Sequence, residues 1–199
     1  MATLLKTYKR GMKTGNIEDA FRSWATTNYV AYLTGYPLGP LDSSMSKLLE
    51  QMQQYGVSDA SSIHFQFLLR HLIGNSGEPL DWTKEMKSKF IDDASNIEAS
   101  DKLATNMFFW GRIQLAYYFR EIDIIRKMIE EMRNLSLDIS CIAALGVYFC
   151  GLVSVDLARK KSKKGNGHVK YARKMMREMK EVVKNKGANN LHRYLLMKA

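Results

Sequence analysis

The chain has 199 residues, 46% of them apolar, with three prolines and a formal net charge of +10. That length and apolar content exclude intrinsic disorder, allow a real hydrophobic core, and leave room for long helices. The charge is uneven: fourteen of the thirty Lys and Arg, but only Glu178 and Glu181 of the twenty acids, lie from Arg159 onward, so that tail carries +12 and residues 1–158 carry −2.

Taken in order, the apolar spacing predicts a short helix over 3–13, closed by Thr14-Gly15-Asn16, and a second from Ile17 to Thr34 with Ala20, Trp24, Thr27 and Ala31 on one face. Gly35, Pro37, Gly39 and Pro40 are expected to end it, and a third helix to run from Leu41 to Tyr55. Asp59 is placed to cap a fourth, with Ile63, Phe67, Leu68 and Ile73 toward the core. Asp81 is placed to cap a further helix carrying Trp82, Met86 and Phe90, expected to fray through the polar run Asp92–Asn96. An aromatic-rich helix follows over Ala99–Phe119, then an Ile/Met helix over Ile122–Leu135. Asp138 precedes a segment that continues to about Lys160; Ser162–Gly167 reads as a loop, His168–Lys186 as a basic amphipathic helix, and Asn190–Lys198 as a short last one. No alternating strand pattern of useful length appears, so the expected class is all-α, with about nine or ten helices. The expected organisation is one domain over 1–199 with a weak subdivision into 1–80 and 81–199.

Ile139–Val155 carries no charge, and the basic tail follows directly from it. A helix apolar all round is buried, among other helices or in lipid. Its 17 residues fall short of the ~20 of a bilayer span, and it carries two glycines, two serines and both cysteines of the chain. The leading reading is a central helix of a helical array. The alternative is a membrane-attached protein with a helix at 139–155 and a basic cytoplasmic tail beginning at Arg159. Cys141 and Cys150 lie nine residues apart on this helix, on opposite faces and roughly 13 Å apart along the axis, so they do not bridge each other. That cysteine usage, and an N-terminus without an apolar run of signal-peptide length, lead to a cytoplasmic expectation.

Short turns between amphipathic helices make antiparallel pairs, the material of an α-solenoid. Gly11-x3-Gly15-Asn16-Ile17-Glu18-Asp19-Ala20 has the form of a tetratricopeptide-type turn: a small residue for close packing, glycine for the tight turn, alanine opening the next contact face. Weaker copies are Tyr117–Ile124 and the run from Tyr148 through Gly165 to Tyr171-Ala172-Arg173-Lys174. The last two are spaced by roughly 50 residues, against about 34 in a consensus repeat. The predicted architecture is therefore a degenerate, tetratricopeptide-like α-solenoid of antiparallel helix pairs, with an irregular helical bundle as the alternative.

Several of these stretches together carry a resemblance. Phe119-Arg120-Glu121-Ile122-Asp123, Tyr148-Phe149-Cys150-Gly151-Leu152, Leu157-Ala158-Arg159-Lys160, Tyr171-Ala172-Arg173-Lys174 and the ending Asn190–Leu196 follow an aromatic helix in that order. The N-terminal Lys13–Ala20 and Gly35-Tyr36-Pro37-Leu38 fit the same pattern. The chain resembles the C-terminal tetratricopeptide-like region of large multidomain signalling proteins that carry a STAND-like predicted ATPase, often with a kinase domain. The resemblance implies a scaffold or sensor region that contacts another protein or a missing ATPase or kinase domain. It does not extend to ATP binding or kinase activity: the chain has no Gly-x4-Gly-Lys-Ser/Thr, and Gly165-Asn166-Gly167 is a lone Gly-x-Gly before a helix.

Candidate chemistry is sparse. His64 and His71 lack partners at metal spacing, Asp92-Asp93 sits in a polar stretch, and no nucleophile elbow or zinc motif appears, so neither catalysis, cofactor nor metal is expected. The expected function is a non-catalytic interaction module. Trp24, Tyr32, Trp110, Tyr117 and Tyr118 are candidate partner-contact residues, with core packing as the competing role for each. Val169, Ala172, Met176, Met179 and Val183 form an apolar stripe expected to pack on the preceding helix. Lys170, Arg173, Lys174, Arg177, Lys180 and Lys184 occupy the complementary arc and, joined by Lys163 and Lys164 from the Lys160–Lys164 loop, form a basic surface. It either solvates the rim of the core or makes a salt-sensitive contact with an acidic protein face or anionic lipid. Nucleic acid ranks below these because no aromatic residue interrupts that basic arc to stack a base.

Overall fold

The computed structural model describes residues 2–75, 99–132, 143–159, 165–185 and 190–198. Among them there are nine α-helices and no strand: α1 Ala2–Thr14, α2 Ile17–Leu33, α3 Leu38–Gln54, α4 Ala60–Leu72, α5 Ala99–Tyr118, α6 Ile122–Met132, α7 Ala143–Arg159, α8 Gly165–Lys184 and α9 Leu191–Lys198. The protein is all-α. The segment opened by Asp81, with Trp82, Met86 and Phe90, lies outside the described residues, as do Cys141, Lys163 and Lys164.

The chain divides into two compact units, Met1–Met107 and Phe108–Ala199. In the first, α1 packs on α2, α2 on α3 and α3 on α4. The tight turn at Gly15 makes α1 and α2 antiparallel, and they approach closely because Gly11 has no side chain: a Cβ there would lie 2.8 Å from the Asn16 carbonyl oxygen and 2.9 Å from the Ala20 Cβ. Phe21, Leu41, Met45, Leu48, Phe65 and Leu69 are fully buried between the helices. Polar side chains cross the same interfaces: Trp24 Nε1 donates to Ser44 Oγ at 3.1 Å, and Ser44 Oγ donates to Asn28 Oδ1 at 2.9 Å. Arg70 pairs with the buried Asp42 at 3.3 Å.

Two expectations for this unit need correction. Pro40 does not delimit α3 but lies inside its first turn, behind Pro37 at the N-cap. The first-turn N–H groups have no intrahelical acceptor in any helix, so proline costs nothing there. In α4 the core face is Ser62, Phe65, Leu68 and Leu69, whereas Ile63 is 51% exposed. Asp59 does cap this helix, its Oδ1 accepting from the Ser61 N–H at 3.0 Å.

In the second unit every residue of α5 from Phe108 to Ala116 is buried. Ile125, Met128 and Ile129 bury one face of α6. The uncharged stretch, expected to be buried all round, is not. Ala144, Val147, Cys150, Val153, Ser154 and Leu157 of α7 are buried, while Leu145, Tyr148, Leu152 and Val155 are half-buried and Asp156 is exposed. Its small residues face inward and seat larger ones: Gly146 lies against the Trp110 indole and Gly151 against the Met197 thioether. Among the described residues no helix is long and apolar enough to cross a membrane.

Helix ends explain one further residue. α2, α3 and α4 close on Gly35, Gly56 and Gly74 in the left-handed region, each followed by an N–H that reaches back to the carbonyl five residues earlier. α5 closes with the same pattern, Glu121 N–H to Ala116 O at 2.9 Å, but the left-handed position is Arg120 at φ 61°. An L side chain there costs about 1–2 kcal/mol, partly offset by the greater unfolded freedom of glycine. Arg120→Gly is therefore expected to stabilise the second unit by about 0.5–1 kcal/mol, read as a rise in urea midpoint. An unchanged or lower midpoint would mean that the Arg120 side chain compensates its own backbone strain.

Candidate functional site

The second unit concentrates the basic residues on α8. Its inward stripe is His168, Tyr171, Ala172, Met175 and Met179, all buried against the rest of the unit. This differs from the expected stripe: Ala172 and Met179 are core, but Val169, Met176 and Val183 are only half-buried. α8 carries two apolar stripes about 100° apart, and the one containing the bulkier Tyr171 and Met175 faces inward.

The displaced stripe floors a surface groove. One depression of about 860 Å³ is lined by Val169, Lys170, Arg173, Met176, Arg177 and Lys180 of α8 and by Tyr194 of α9. A second of about 350 Å³ shares Val169, Arg173 and Met176 and adds Ala172 of α8 with Val155, Ala158 and Arg159 of α7. The two adjoin along α8. Their floor is aliphatic and thioether, their rim is five cations, and among the described residues no carboxylate lines either. Next to this groove, Leu191, Leu195 and Leu196 of α9 are exposed, three large apolar side chains on an eight-residue helix.

The basic residues divide into two roles. Lys170, Arg173 and Arg177 are exposed on the groove rim, and the Arg177 Nε donates to the Arg173 carbonyl at 3.4 Å. Lys174 is not among the groove-lining residues and pairs with Glu178 at 3.8 Å. Burial of the Glu178 carboxyl raises its pKa, and the charge of Lys174 works in the opposite direction. Arg159, Lys180 and Tyr194 also line the groove. Lys180 belongs to the basic arc read from the sequence; Tyr194 was not legible there, because it comes from another helix.

The aromatic candidates do not converge on one site. Trp24 bonds Ser44 and meets Tyr8 edge-on at 5.1 Å, and Tyr32 meets Phe65 edge-on at 5.5 Å; both serve packing in the first unit. Trp110 is 5% exposed, with its ring against Gly146, and takes the core-packing role. Tyr117 and Tyr118 stand together against Phe149 at 5.5 and 5.6 Å, and Tyr118 is 53% exposed. They line a separate pocket of about 460 Å³ with Arg120, Ile122, Ile125, Val153, Asp156 and Leu157. Among the described residues no three His, Cys, Asp or Glu side chains gather into a group able to hold a metal ion.

Comparison of the chain with protein-family models, with curated proteins and with solved structures finds no match.

Proposed function

We propose that this chain is a non-catalytic, tetratricopeptide-like α-solenoid module that acts in the cytoplasm by binding another protein. The partner is either a separate protein or an ATPase or kinase domain of the kind that accompanies the helical region it resembles. The observation that carries this reading is the groove on α7, α8 and α9. A concave apolar floor ringed by cations has the make-up of a recognition surface, with apolar contact for affinity and charge for orientation and encounter rate. A merely solvating basic face would lay its methylene stems over the apolar residues beneath, and here Val169 and Met176 remain half-open instead.

Photo-crosslinking tests it. A benzophenone amino acid is placed at Val169, at Met176 and, for comparison, at Tyr36 on the exposed surface of the first unit, in cells that express the full chain. The groove positions should give a discrete heavier adduct, which Arg173→Gln with Arg177→Gln diminishes at least fivefold, and Tyr36 should not. Absence of any protein adduct from both groove positions would overturn the reading.

A further inference from the structure

The groove also specifies what kind of protein segment fills it, an inference that rests on the interaction reading above. Along α8 the lining runs from Val169 to Lys180, a rise of about 17 Å along the helix axis, enough to lie beside about three turns of a docked helix. The floor is narrow and apolar: Val169 and Met176 in the centre, Ala158 and Val155 on one flank, the Tyr194 ring on the other. Methionine and small aliphatic residues accept leucine-type side chains of varied shape. The cations are not scattered over that floor. Lys170, Arg173, Arg177 and Lys180 recur at three and four residues, so they make one row along the groove, with Arg159 facing them from α7. Among the described residues none of the four on α8 is paired with a carboxylate.

We infer that the occupant is an acidic amphipathic helix, its apolar stripe seated on Val169 and Met176 and its flanking carboxylates paired with the arginine and lysine row. Each half of the site selects for part of that description. The floor needs apolar side chains projecting at helical spacing, and a flat membrane surface would leave the concavity unfilled. The rim needs carboxylates at matching spacing, and each of Arg173 and Arg177 is able to hold one through two parallel N–H bonds. A nucleic acid strand would satisfy the rim but would find one aromatic ring, Tyr194, and otherwise aliphatic floor where bases need stacking platforms.

The test uses the full-length chain and a synthetic, fluorescein-labelled helix of about 18 residues, with leucines at three- and four-residue spacing and glutamates on both flanks. Controls are a scramble of the same composition, vesicles of phosphatidylcholine and phosphatidylserine at about 3:1, and an oligouridine of matched charge. Anisotropy should report micromolar binding of the helix and at least tenfold weaker binding of the scramble. Lys170→Gln, Arg173→Gln, Arg177→Gln and Lys180→Gln together should weaken binding at least tenfold, and raising salt from about 50 to 300 mM should weaken it severalfold. Met176→Gln should weaken it at least fivefold with the rim intact. Helical circular dichroism and urea midpoint, unchanged in both variants, establish that the fold is retained. Should either variant shift them, Arg173→Lys and Met176→Leu serve instead, expected to weaken and to preserve binding respectively. Equal affinity for helix and scramble would overturn the inference. So would vesicle or oligouridine binding that depends on the same four cations while the helix does not bind. A crosslinked partner that docks through basic or uncharged residues would overturn this inference and leave the interaction reading standing, whereas absence of any groove adduct removes both.

Discussion

Replacing Gly146 with alanine should destabilise the second unit by about 2 kcal/mol, although alanine is the better helix former. In an isolated helix the exchange gains up to about 1 kcal/mol from backbone entropy. Here the added Cβ would lie 2.2 Å from the Trp110 Cδ1 and 2.3 Å from its Nε1, well inside contact distance. The indole is buried in α5, so the strain of overpacking, typically about 1–3 kcal/mol, is expected to outweigh the propensity gain. Gly11→Ala should cost a similar amount for a different reason. The atoms it meets are the Asn16 carbonyl and Ala20, so α1 and α2 themselves must part. Gly151→Ala is the contrast. Its Cβ would meet the Met197 Cε at 2.1 Å and Sδ at 3.3 Å, the outer atoms of a flexible side chain near the close of α9, with the Met175 Cβ in ordinary contact at 3.5 Å. Methionine has rotamers to spare, and the net change should lie within about 0.5 kcal/mol of zero. Urea unfolding followed by tryptophan emission measures all three. Gly146→Ala as stable as the parent would show that α5 and α7 do not meet at this contact.

These glycines also show what was legible beforehand. The Gly11…Ala20 spacing announced a close helix pair because the turn, the small residue and the alanine are adjacent in sequence. Nothing local announced that Gly146 faces Trp110, thirty-six positions earlier: that is a property of how helices are placed, and helical periodicity says only that a face is apolar. The same limit governs α8. Its sequence supplies two apolar stripes and one basic arc, and the pattern alone cannot decide which stripe is taken by the core. The structure assigns Tyr171 and Met175 inward, and this frees Val169 and Met176 to become the floor of the groove. The basic arc itself was plain from charge spacing. What turned it into a site was Tyr194 and Arg159 arriving from neighbouring helices. Among the aromatic candidates, residue type was a poor guide, since the side chains that bury well in a core are those that anchor interfaces. Trp110 went to the first use, and Tyr118 alone of the five is more than half exposed.

The fold should also weaken steeply in alkali, and two buried acids say from what pH. Cys150 is fully buried, and burial pushes its thiol up to about 12 from an ordinary value near 9; Glu178 adds to the rise, and the Tyr171 hydroxyl pulls the other way. Tyr29, stacked on Phe65 at 4.1 Å in the first unit, is raised well above its ordinary value, first by burial and then by Tyr32 and Asp59. Both groups hold their protons more tightly folded than unfolded. Their contribution is therefore complete below about pH 9 for the thiol and about pH 10 for the phenol. It is lost as pH climbs through the folded values, by up to ~1.4 kcal/mol per pH unit for each group. The urea midpoint should be flat from pH 7 to 8.5 and fall progressively above pH 9, first in the second unit and then in the first. In a Cys141→Ser background, Cys150→Ala should lower the plateau by a constant amount of about 1 kcal/mol for the lost packing. It should also remove the first part of the alkaline slope. The remaining thiol of the Cys141→Ser protein should react with Ellman's reagent at pH 8 at least a thousandfold more slowly folded than in urea, because reaction needs both exposure and thiolate. A fast native reaction, together with an alkaline slope that Cys150→Ala leaves untouched, would show that α7 does not bury this face against α8.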